Sequence, residues 1–69
     1  MEIKINDRIK IKEGIYFVNN NVGIVTHVFE EEIRCDFMYI KGDIQNLRVK
    51  YNDIEEHLNQ ETHPEYFLW

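Results

Sequence analysis

The stretch NNNVGIVTHV, residues 19–28, decides how this chain folds. Three asparagines run directly into Val22, Ile24, Val25 and Val28, with a single glycine, Gly23, inside the apolar run. β-Branched residues at this density favour a strand, because their stiff side chains pack well on a pleated surface. Gly23 has no side chain, so it permits a sharp bend in that strand or the close approach of another backbone.

Strand signals continue on both sides. Towards the N-terminus, Ile3, Ile5, Ile9 and Ile11 alternate with Glu2, Lys4, Arg8 and Lys10, a period of two that predicts a strand. Asn6-Asp7 divides it into a lead-in and a main strand, and Glu13-Gly14 ends it. Residues 15–18 form a loop that packs part of itself down. Towards the C-terminus, Glu30, Glu31 and Glu32 make a turn. Ile33, Cys35, Phe37 and Tyr39 then alternate with polar residues as a third strand. Lys41-Gly42-Asp43 is a tight turn, and Leu47, Val49 and Tyr51 mark a fourth strand. Asn52 caps a short helical turn in which Ile54 and Leu58, four apart, face one way. Residues 59–63 are polar, and PEYFLW at residues 64–69 forms either a last strand or an apolar C-terminal tail. The whole, residues 1–69, is expected to be one all-β domain. Its architecture is a small barrel of five short strands with a short helical turn before the last. Its core should hold Ile9, Ile11, Val25, Phe37, Val49 and Ile54.

NDRIKIKEG, NNNVGIVTHV, an acidic turn, IRCDFMYI and NLRVKYNDIEEHL together resemble a KOW-type, Src-homology-3-like small barrel over residues 6–58. Asn6-Asp7 stands for that family's opening Gly-Asp, Gly14 and Gly23 for two of its glycines, and Asp53-Ile54-Glu55 for its closing turn. The resemblance implies a loop-to-strand corner at positive φ, where Asn20 replaces the usual glycine. Asparagine suits that corner because its short amide bonds locally. Asn19 and Asn21 stand where the family often carries lysines. The aromatic set of peptide-binding Src-homology-3 domains is absent.

Charge and composition narrow the function classes. Thirteen acidic residues against eight Lys and Arg give a net charge of −5. From residue 30 onward acids outnumber bases by more than two to one, which opposes a nucleic-acid partner. The single cysteine, Cys35, has no disulfide partner in the chain and sits mid-strand as a small core residue. A small enzyme would need it to be reactive instead. His57 and His63, near Glu56 and Glu61, fall short of a metal-ligand pattern. No catalytic residues, metal or cofactor are therefore expected. No signal peptide or membrane-spanning segment is legible, so the expected location is cytoplasmic.

The leading functional expectation is a non-catalytic protein-binding module or small inhibitor, such as a phage or mobile-element accessory protein acting on a host protein. Its contacts would be the acidic residues Glu30, Glu31 and Glu32 and the aromatic anchors Tyr16, Phe17, Tyr66, Phe67 and Trp69. The alternative implied by the resemblance is a nucleic-acid-binding module. It would use Lys4, Arg8, Lys10 and Lys12 on the outer face of the first strand, extended by Arg48 and Lys50. A sheet edge and an apolar C-terminus also allow a homodimer.

Overall fold

The structure, a computed structural model, describes residues 2–68, the side chain of residue 19 excepted. Alternation resolves into five antiparallel strands: β1 (Arg8–Ile11), β2 (Val18–Val28), β3 (Glu32–Tyr39), β4 (Ile44–Lys50) and β5 (Ile54–Leu58). They form one sheet in the order β4-β3-β2-β1-β5. A 3-10 turn, Tyr51–Asp53, precedes β5, and a second, Pro64–Phe67, follows it. The all-β class read from the sequence is thus what the chain adopts. The sheet is not closed: among the described residues no ladder joins β4 to β5. It nevertheless curls, because Val49 on one edge strand and Ile54 on the other share a single core cluster. All six expected core residues are buried in that cluster, joined by Ile33, Cys35 and others.

Three local expectations need correction. Residues 3–5 are not strand. Asn6 adopts φ 77°, and the Asp7 carboxylate accepts the Lys4 backbone N–H at 2.9 Å, which locks a turn. Ile3 is consequently buried while Ile5 is exposed. The helical turn near residue 52 is shorter than expected and carries no side-chain cap. Ile54 and Leu58 instead belong to β5, where Ile54 pairs with Ile11 and Leu58 with Arg8. They do not face one way: a register shift opposite Lys10–Ile11 leaves Ile54 on the core face beside Ile11 and Leu58 on the other face beside Arg8. Residues 64–68 are not a strand either. Asn59 accepts the N–H groups of Glu61 at 2.8 Å and Thr62 at 3.0 Å, and this reverses the chain. Pro64, which has no N–H to give a ladder, then starts the 3-10 turn.

The asparagine run now has its explanation. Between Val18, opposite Tyr39, and Gly23, opposite Phe37, β2 advances five residues while β3 advances two. Asn20 at φ 57° and Asn21 at φ 56° absorb the excess as a bulge. Just beyond it, a Cβ on Gly23 would lie 2.5 Å from the Phe37 ring. The close approach allowed by this glycine is therefore that of a side chain rather than a backbone. Phe37 is fully buried, with the Tyr16 ring 6.2 Å away.

The other face of β1, β2 and β5 is also covered. Val22 and Leu58 are buried there, in register with Lys10 and Arg8. The C-terminal 3-10 turn lies over Arg8. On β2, β3 and β4 the same face carries a polar cluster. Arg34 Nε donates to Asn46 Oδ1 at 2.6 Å, and Asn46 Nδ2 lies 2.9 Å from Asp36 Oδ1 and 2.8 Å from Thr26 Oγ1. Among the described residues no buried side-chain polar atom lacks a hydrogen-bond partner.

Gly23→Ala should lower stability by roughly 1–3 kcal/mol, the usual cost of overpacking, read as a lower urea midpoint. Adding Phe37→Leu should recover part of the loss, whereas two independent sites would simply add.

Candidate functional site

The turn between β2 and β3 is built tightly. The Phe29 N–H donates to Glu32 O at 2.8 Å across it. The Tyr51 hydroxyl, reaching from the 3-10 turn, donates to Phe29 O at 2.6 Å. The Phe29 ring remains 49% exposed and lies parallel to the His27 ring, centroids 6.0 Å apart. Glu30 and Glu31 are exposed beside it, and Glu32 reaches Arg48 at 3.9 Å. These residues and Arg34 line an open cleft of about 500 Å³. The turn therefore presents one aromatic ring and a run of carboxylates on a fixed backbone. Phe29 was absent from the expected anchors. Its signal in the sequence is a large apolar residue placed directly before a charged run, at the end of a strand.

The expected anchors do not gather around this turn. Tyr16 is structural: its hydroxyl donates to Arg48 O at 2.8 Å and its ring packs towards Phe37. Phe17 is exposed, but it sits by the β3–β4 turn, where it lines a cleft of about 510 Å³ with Tyr39, Ile40, Lys41, Asp43 and Gln45. The length of β3 separates that cleft from the acidic turn by on the order of 25 Å. Tyr66 and Phe67 are half-buried over a third region, with Arg8 Nε donating to Tyr66 O at 3.0 Å and the guanidinium 4.7 Å from the Phe67 ring centre. Trp69 lies outside the described residues.

The expected basic stripe is not formed. Arg8 is only 8% exposed, beneath the C-terminal segment, and donates to Asn6 O as well as Tyr66 O. It faces inward because its partners in register, Ile24 and Leu58, belong to the covered face. Lys10 pairs with Glu55 at 3.5 Å. Lys4, Lys12 and Lys50 are exposed, but β1 and β4 have two strands between them, so Arg48 and Lys50 do not extend the first group.

Reactive and metal-ligating side chains are each accounted for. Cys35 is fully buried, and burial, with the Asp36 carboxylate beside it, pushes its thiol up to about 12. His57 Nε2 lies 2.8 Å from Asp7 Oδ2, and His63 Nε2 lies 3.4 Å from Glu56 Oε2. Among the described residues no three His, Cys, Asp or Glu side chains are grouped to hold a metal ion. No described helix is long and apolar enough to cross a membrane. No family model, curated protein or solved structure matches the chain.

The Cys35 thiol has a folded value of about 12 against an ordinary 9.0. Between those values the folded chain keeps a proton that the unfolded chain has lost, so rising pH favours unfolding. Relative to Cys35→Ala, the parent chain should lose stability steadily as pH rises from about 9 towards 12, with no such difference below pH 8. Urea titrations of both chains across that range check it.

Proposed function

We propose that the chain is a non-catalytic protein-binding module or small inhibitor, with Phe29, Glu30, Glu31 and Glu32 as its contact surface. The observation that carries this reading is the half-exposed Phe29 ring, held on a hydrogen-bonded backbone and followed by three glutamates. An exposed aromatic on a preformed turn loses little conformational freedom on binding, so most of its burial counts towards affinity. The carboxylates would steer a basic surface into place and set the orientation. The complementary partner is a protein with an apolar pocket rimmed by Lys and Arg. A small size and an acidic composition suit an accessory protein of a phage or mobile element, acting on a host protein in the cytoplasm. The strand order, with a 3-10 turn before β5, supports the Src-homology-3-like, KOW-type reading of the fold. The buried Arg8 and the separated lysines favour a protein partner over nucleic acid.

Photo-crosslinking in cells of the source organism tests the proposal, with the reactive side chain placed at residue 29, 31 or, as a control, 13. One protein adduct should dominate at 29 and 31 and be missing at 13. With that protein purified, Phe29→Ala should weaken binding roughly thirtyfold, a hot-spot loss of about 2 kcal/mol. Glu30→Lys with Glu31→Lys should mainly slow association. Equal adducts at all three positions, or adducts to nucleic acid alone, would contradict it.

A further inference from the structure

The opposite end of β3 carries a surface of another kind. Phe17 is 84% exposed and Ile40 71%, and the two line one cleft, large apolar side chains of the sort that marks an interface. The surrounding sequence is almost without charge. Residues 14–29 contain no Asp, Glu, Lys or Arg, and residues 37–47 contain only Lys41 and Asp43. Both of those line the cleft with Phe17 and Ile40. Their hairpin tip is fixed by Gly42 N–H to Tyr39 O at 2.8 Å and Tyr39 N–H to Asp43 O at 2.7 Å. Among the described residues neither side chain has an ion-pair partner.

We propose that this end is the interface of a homodimer. Phe17 and Ile40 of one copy pack on the same residues of the other, and Lys41 of each copy faces Asp43 of its partner. A two-fold interface uses one patch twice, so the patch must complement itself. One lysine and one aspartate, two residues apart at the rim of an apolar cleft, meet that requirement. Net charge selects the same end. Two copies at −5 repel, and they repel least where the local charge sums to zero and the acidic β2–β3 turns point away from each other. Two other surfaces already have partners within the chain. The described C-terminal residues cover Arg8, and along the β4 edge Arg34 Nη2 donates to Asn46 O at 3.4 Å and the Tyr16 hydroxyl to Arg48 O at 2.8 Å. The inference is independent of the binding role assigned to the acidic turn, which lies on the other end of the molecule.

Sedimentation equilibrium of the 69-residue chain from roughly 5 to 500 µM, a range bracketing micromolar dissociation constants, tests it. A dimer mass should appear as concentration rises. Phe17→Ser combined with Ile40→Ser should stay monomeric throughout, with an unchanged circular dichroism spectrum and urea midpoint. Lys41→Asp and Asp43→Lys should each weaken the dimer roughly tenfold, and the two together should return it to within about threefold of the parent, because the swap rebuilds a self-complementary pair. A parent chain monomeric at every concentration would overturn the proposal. So would a dimer indifferent to Phe17 and Ile40, or a double swap no tighter than either single change.

Discussion

The Phe37 ring occupies the space that a Cβ on Gly23 would need, and the rest of the molecule is arranged around that contact. It draws β2 onto β3 at the centre of the core, directly after the bulge that Asn20 and Asn21 create. The bulge lets one long strand serve both halves of the sheet, pairing with β3 along most of its length and with β1 through residues 22–24. Tyr16 closes the other side of the ring and ties the first loop to β4 through its hydroxyl. A chain of this size buries limited apolar surface, so one well-filled contact between strands carries an unusual share of its order.

From that centre the molecule divides its surfaces. One end of β3 is acidic and carries a ring on a rigid turn, while the other is apolar and locally neutral. The second face of β1, β2 and β5 is closed by the C-terminal residues rather than left to a partner. Burying Arg8 there would be costly for an unpaired cation. The carbonyls of Tyr66 and Asn6 and the face of Phe67 offset that cost, and they also explain why an apolar C-terminus follows a polar linker.

The core and the strand pattern were legible because alternation records which side chains point inward. Ile9, Ile11, Val25, Phe37, Val49 and Ile54 are buried as their spacing implies. Asn20 takes the positive φ expected of it. The misreadings share one physical source, which is that tertiary partners decide between local alternatives of similar stability. Ile54 and Leu58 suit one face of a helical turn, yet β1 draws them into a bulged strand that sends them to opposite faces. Ile3 and Ile5 fit a strand until the Asp7 side chain makes a turn. Arg8 alternates with isoleucines as an outer residue should, yet a segment fifty-eight positions away covers it. The surface was less legible still. Phe17 and Tyr16 are neighbours in sequence with opposite fates, and Phe29 became visible as an anchor only once Tyr51 and His27 were seen to hold it.

The most direct test of this arrangement is a carbon-edited NOESY spectrum of the uniformly labelled protein. Strong cross-peaks are predicted from the Gly23 α-protons to the Phe37 ring, because ring atoms lie within 3 Å of the position a Gly23 Cβ would take. A folded protein whose Gly23 α-protons show no contact with that ring would contradict the seating of Phe37 against β2, the contact around which the core is built.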